Sequence, residues 1–137
     1  MTMPAPVETL PTILVVDDEA HVRTLVRRIL ERDGYQVSEA GTGHEAIELL
    51  GTGRITPDLL MSDVHMPDLG GVEMVEQIRM TRPSLKVLYV SGYVDRLMRD
   101  RPALPDGEAY LDKPFSAAGL LEAVSLILYG TLKKPAR

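Results

Sequence analysis

The stretch ILVVDDEAH, residues 13–21, runs from β-branched hydrocarbon straight into three acids, Asp17, Asp18 and Glu19. Three more apolar stretches also end on reactive side chains: PDLLMSDV on Asp63, KVLYVSG on Ser91 and AYLDKP on Lys113. Mg²⁺ takes oxygen ligands and is commonly held by one or two carboxylates together with a phosphate. Asp17 and Asp18 suit that role. A carboxylate is also a nucleophile toward phosphorus, giving an aspartyl-phosphate, and Asp63 is the candidate. Moving a phosphoryl group is mostly a matter of positioning and charge stabilisation. Lys113 offers a point charge for the phosphoryl oxygens, and Ser91 offers a hydroxyl donor. The bland reading of the opening acids is helix capping, worth roughly 0.3–1 kcal/mol. One cap needs one acid, however, and crowding like charges raises their pKa values.

For these groups to act together, the elements carrying them must end on one rim. Short apolar runs alternate with segments of helical period. ILVV reads as the first strand, and EAHVRTLVRRILERDG as a helix with Val22, Leu25, Val26, Ile29 and Leu30 on one stripe, stopped at Gly34. YQVSEA is a half-polar strand suited to a sheet edge, and GHEAIELLGTG a short helix closed by glycines. PDLLMSDV is the third strand, introduced by a proline that cannot lie within it. GVEMVEQIRMTRP is a helix with Val72, Val75 and Ile78 inward, and SAAGLLEAVSLILYG the last helix, with Leu120, Leu121, Val124, Ile127 and Leu128 inward. KVLYVSG and AYLDKP are the fourth and fifth strands. Between them, YVDRLMRDRPALPDGE is broken by Pro102 and Pro105, so a short or irregular fourth helix is expected and residues 94–108 should be the most mobile internal stretch. Such alternation implies an α/β fold of three layers, a doubly wound five-stranded parallel sheet in the order 2-1-3-4-5. That fold gathers the C-terminal strand ends, and with them Asp17, Asp18, Asp63, Ser91 and Lys113, on the rim where ligands bind.

The 137 residues suit one domain, expected over 12–130, with a flexible Pro-rich lead over 1–11 and a tail over 131–137. Hydrophobic residues make up 45% and charged residues 26%, as in an ordinary globular protein, and no run approaches membrane-span length. A net charge of -5 argues against direct nucleic-acid binding, which needs clustered Lys and Arg. No cysteine is present, which excludes disulfide and thiolate chemistry and fits a cytoplasmic location without a membrane. His21 and His44 read as exposed helix residues, and the methionines as core filler.

Four motifs in order, VVDDE, MSDVHMPDLGG, YVSGY and YLDKPF, make the chain resemble the receiver domains of two-component response regulators from about Ile13 to Tyr129. The wording is closest to single-domain receivers and to those at the C-terminus of hybrid kinases. The resemblance implies that Asp17, Asp18, Asp63 and the backbone carbonyl of His65 bind Mg²⁺, with Mn²⁺ as a substitute. It implies that Asp63 is the phosphoacceptor, served by a sensor histidine kinase or a histidine phosphotransfer protein in a phosphorelay. Ser91 and Lys113 would contact the phosphoryl group, Ser91 and Tyr110 would form the switch read by a downstream protein target, and the Lys113–Pro114 bond would be cis. Such a domain catalyses only its own phosphorylation and dephosphorylation. The sequence departs from common family choices at His65, two residues after the acceptor, and at Gly92 and Tyr93 after the hydroxyl residue.

Two other functions fit the sequence less well. A Mg²⁺-dependent phosphohydrolase with an aspartate nucleophile would carry that nucleophile at the end of strand one, with a second acid two residues later; Asp17 and Asp18 are adjacent instead. A flavin mononucleotide carrier needs a hydroxyl- and glycine-rich phosphate loop after strand one, where DDEAH would repel phosphate.

Overall fold

A computed structural model describes residues 10–92 and 107–131. Among the described residues, five strands, β1 (Thr12–Val16), β2 (Gln36–Ala40), β3 (Leu59–Asp63), β4 (Lys86–Ser91) and β5 (Glu108–Asp112), and four helices, α1 (Ala20–Arg32), α2 (Gly43–Gly51), α3 (Gly71–Arg79) and α4 (Ala117–Tyr129), follow one another along the chain. All strand pairs are parallel and the order is β2-β1-β3-β4-β5, as the alternation predicted. The expected short fourth helix falls on residues 93–106, outside those described.

Side chains alternate across the sheet, and each face builds its own core. Leu14, Val16, Leu60, Val87 and Tyr89 pack beneath Ala46 and Leu50 of α2 and Met74, Val75 and Ile78 of α3. Ile13, Val15, Leu59, Met61, Leu88 and Val90 pack beneath Val26 and Leu30 of α1 and Leu120 and Val124 of α4. Covered on both faces, β3 is buried along its whole length, whereas β2 at the edge keeps partly exposed residues. That difference explains why β3 runs Leu-Leu-Met before its polar end, whereas β2 mixes apolar and polar residues.

Two core assignments fail. Leu25 is 57% exposed, because it falls on the margin of the α1 stripe whose centre is Val26 and Leu30. Met80 is 84% exposed, since it follows the last turn of α3 and no element among the described residues covers it there.

The helix starts differ instructively. Glu19 is the N-cap of α1 and makes no side-chain cap hydrogen bond, so its carboxylate does not cap the helix. α2 is capped twice. The Thr42 hydroxyl accepts from Glu45 N at 3.0 Å, while Asp68, from the loop after β3, accepts from Gly43 N at 3.3 Å and His44 N at 3.1 Å. The His44 ring nitrogen Nδ1 lies 2.8 Å from the same carboxylate. Partial burial would push the Asp68 carboxyl up, but these bonds and one from the Leu69 amide outweigh it and hold its pKa at about 2. A carboxylate with a depressed folded pKa stabilises the fold above its unfolded value, near 4, and loses that effect as pH falls toward about 2. Asp68→Ala should therefore lower stability by about 1 kcal/mol at neutral pH, the ordinary cost of a lost cap, and by much less near pH 2. Denaturant titrations at the two pH values check this; equal deficits at both would refute the tie between β3 and α2.

Candidate functional site

The C-terminal ends of β1, β3, β4 and β5 meet on one rim. Asp17 directly follows β1 and is 4% exposed; Asp63 is the last residue of β3 and is 8% exposed; Asp18 is exposed. Oxygen atoms of these three carboxylates all lie within 4.8 Å of one another. Lys113, just beyond β5, places Nζ 3.0 Å from Asp63 Oδ2 and 3.5 Å from Asp17 Oδ2. Ser91 ends β4 and is buried, and its carbonyl accepts from Lys113 N at 3.0 Å. The Lys113–Pro114 peptide is cis.

Local contacts hold each acid. Asp17 N donates to Ala40 O at 3.2 Å, Asp17 Oδ1 accepts from Glu19 N at 2.9 Å, and Asp17 O accepts from Arg23 Nη1 at 2.6 Å. Asp63 Oδ1 accepts from His65 N at 3.2 Å, leaving Oδ2 to Lys113. Behind the carboxylate, Asp63 O accepts from Ser62 Oγ at 2.9 Å. Gly71 opens α3 directly against this carbonyl, and Gly71 N donates to Val64 O at 2.9 Å. A Cβ at Gly71 would collide with Asp63 O and crowd Ser62 Oγ and Val64 Cα. Gly71→Ala is thus expected to cost about 1–3 kcal/mol, seen as a lower denaturation midpoint. A midpoint equal to that of the unsubstituted protein would mean that α3 shifts freely.

Electrostatics follow from this crowding. Carboxylates about 5 Å apart at an effective dielectric near 20 repel by about 3 kcal/mol per pair. Burial pushes the Asp17 carboxyl above the ordinary value, with Asp63 and Asp18 adding to the rise and the Glu19 amide and Lys113 opposing it. Burial would lower the pKa of Lys113, but its hydrogen bond to Asp63 and the charges of Asp17 and Asp63 reverse that and raise it. One ammonium beside three carboxylates leaves a formal charge equal and opposite to that of one divalent cation. The donors are all hard oxygens, with no sulfur or imidazole among them, so the set fits Mg²⁺ or Mn²⁺ rather than a softer metal.

Tyr110, on β5, pairs in register with Tyr89 on β4, and the two rings lie 5.3 Å apart at 42°. Tyr89 is almost wholly buried, so Tyr110 leans on the α2–α3 core. Reading the sequence did not single out Tyr89, Arg23, Ser62, Asp68 or Gly71. Only the α2 start carried a local signal, the Thr42-Gly-His-Glu45 spacing of a capping box. Tyr89, Asp68 and the bond from Arg23 to Glu39 act across 16 residues or more, and Gly71 meets the Asp63 carbonyl and the Ser62 hydroxyl bound to it only once α3 is packed against the end of β3.

No helix among the described residues is long and apolar enough to cross a membrane. The response regulator receiver domain family matches residues 13–125. Sensor kinase CckA of Brucella abortus (strain 2308) is 39% identical over 119 residues, covering 85% of this chain and 12% of the kinase. Response regulator MprA of Mycobacterium ulcerans (strain Agy99) is 39% identical over 120 residues, covering 87% of this chain and 50% of MprA. The chain thus spans half or less of the length of these relatives. Among solved structures, response regulator TrrA from Thermotoga maritima in complex with Mg(2+)-BeF superposes with a TM-score of 0.73 at 31% identity, covering 87% of this chain and all of that one. With the sheet order, the rim of acids and a match over most of its length, the chain belongs to the response regulator receiver domain family of two-component systems.

Proposed function

We propose that this protein is a phosphoacceptor switch that receives a phosphoryl group on Asp63 from a phosphohistidine of a sensor histidine kinase or a histidine phosphotransfer protein. The observation that carries this reading is the convergence of Asp17, Asp18 and Asp63 within 4.8 Å of one another, with the Lys113 ammonium against Asp17 and Asp63. Asp17, Asp18, Asp63 and the carbonyl of His65 would hold Mg²⁺, or Mn²⁺ in its place. The ion supplies positive charge against the phosphoryl oxygens and relieves repulsion among the acids.

In the reaction an Asp63 oxygen attacks phosphorus, the P–N bond breaks with its electron pair going to the ring, and the partner's imidazole leaves neutral because its other nitrogen already carries a proton. Each Asp63 oxygen accepts one described hydrogen bond and keeps lone-pair capacity for bonding. The His65 amide and Lys113 orient the carboxylate before the reaction, which is the positioning that phosphoryl transfer needs. Lys113 then offsets charge on the transferred group, and the Ser91 hydroxyl donates to it. Movement of Ser91 toward the phosphoryl group would open space for Tyr110 and bias a pre-existing two-state equilibrium on the β4–β5 surface, where a downstream protein reads it. The protein would work in the cytoplasm, with no chemistry beyond gaining and losing its own phosphoryl group.

The test uses acetyl phosphate with Mg²⁺, intact-mass measurement and borohydride trapping to locate the modified residue. One phosphoryl group on Asp63, absent when the metal is chelated before acetyl phosphate is added, is the expected result. Modification elsewhere, or none, would overturn the assignment.

A further inference from the structure

Arg23 sits in the first turn of α1 and joins two elements that the acidic rim depends on. Its Nη1 donates to the carbonyl of Asp17 at 2.6 Å and its Nε to Glu39 Oε1, on edge strand β2, at 3.2 Å. The other oxygen of Glu39 receives Arg27 Nη1 at 2.7 Å. The guanidinium also lies against Gly41, where a Cβ would come 3.3 Å from Nη1, so the glycine leaves it room. Asp17 N is already bound to Ala40 O, which means the backbone at Asp17 is held on both sides.

From these contacts we infer that Arg23 is a positioning residue for the metal ligands Asp17 and Asp18, acting through the peptide that joins them. A peptide unit is planar, so fixing the Asp17 oxygen also sets the direction in which Asp18 leaves the strand. Asp18 depends on this. It is exposed, and among the described residues no hydrogen bond to its carboxylate is seen. Arginine suits the task because its rigid fork offers donors in separate directions, one for each partner, which a lysine point charge does not. Glu39 offsets the guanidinium charge, so Arg23 supplies geometry while opposing an incoming cation less than a free arginine would. A rival explanation is that Arg23 only fastens α1 to the sheet edge. Arg27 provides the comparison, because it holds Glu39 and Val37 O, at 2.7 Å each, and among the described residues makes no hydrogen bond to Asp17.

This inference rests on the metal reading above, and the experiment separates the two. Mg²⁺ affinity of the full chain, Arg23→Gln and Arg27→Gln is measured by amide NMR titration, with denaturant stability measured separately without metal. Arg23→Gln is expected to bind Mg²⁺ about 10-fold more weakly, the usual effect of losing a residue that orients a ligand. Arg27→Gln is expected to lose stability yet bind Mg²⁺ like the unsubstituted protein. Equal affinity in Arg23→Gln, or an equal loss in Arg27→Gln, would overturn the inference. If Arg23→Gln does not fold, Arg23→Lys is read by the same standard, and unchanged affinity there overturns it as well. Absence of saturable Mg²⁺ binding in the unsubstituted chain would instead overturn the metal reading on which it stands.

Discussion

Asp63→Asn is expected to fold normally and to take up no phosphoryl group from acetyl phosphate under conditions that fully modify the unsubstituted chain. The amide matches the carboxylate in shape but has one oxygen in place of two and no negative charge, so it is not a competent nucleophile toward phosphorus. Its carbonyl oxygen can still accept from His65 N, as Asp63 Oδ1 does at 3.2 Å. Lys113 loses one charged partner but keeps Asp17 at 3.5 Å. The substitution also removes one of three mutually repelling charges, so metal-free stability should change by no more than about 1 kcal/mol in either direction. Intact mass reads the first effect and a denaturant titration the second. Full incorporation in Asp63→Asn would place the acceptor elsewhere, whereas an unfolded variant would mean that Asp63 is structural.

Lys113→Met should be damaging twice over. In the absence of metal it leaves three carboxylates clustered without the ammonium that contacts two of them. The Lys113 side chain is 28% exposed, so solvent screens part of the loss, and a deficit of about 1–3 kcal/mol is expected rather than the larger figure for a fully buried pair. Mg²⁺ should then raise the denaturation midpoint more in Lys113→Met than in the unsubstituted chain, because more repulsion remains to be relieved. The second effect is on rate. Loss of a charge aimed at the phosphoryl oxygens should slow modification of Asp63 by about 100-fold. A pH series adds a signature. The folded-state pKa of Lys113 is raised, so its stabilisation is complete below the unfolded lysine value and is lost as pH rises through the folded one. The unsubstituted chain should lose this increment at alkaline pH, and Lys113→Met should show no such loss. Equal stability and equal rate in the two proteins would show that the 3.0 Å contact with Asp63 has no consequence.

Fold and rim were legible because each rests on short-range sequence patterns. ILVV, LLMSD and KVLYVS are apolar runs too short for helices, and between them the apolar positions recur at helical spacing. Parallel pairing and right-handed crossovers then leave few sheet orders, and strand ends bearing Asp17, Asp63, Ser91 and Lys113 are brought together by any of the leading ones. What periodicity cannot register is the width of a buried stripe. Leu25 has helical spacing and still faces solvent, because the packing of α1 against the sheet, not the spacing alone, decides which flank is covered.

The amino-acid sequence by itself determined which chemical groups this protein owns and which strand end carries each, since residue type and alternation are local properties. Only the tertiary structure decided what those groups touch. Lys113 meets Asp17 and Asp63 across 96 and 50 residues of chain, Asp68 reaches the start of α2 across 25 and 24, and Glu39 meets Arg23 across 16. The close approach of Gly71 to the Asp63 carbonyl likewise exists only once α3 docks against the end of β3. Such contacts depend on the angles at which packed elements meet, and those angles are set by the fit of whole side-chain surfaces rather than by any run of neighbouring residues.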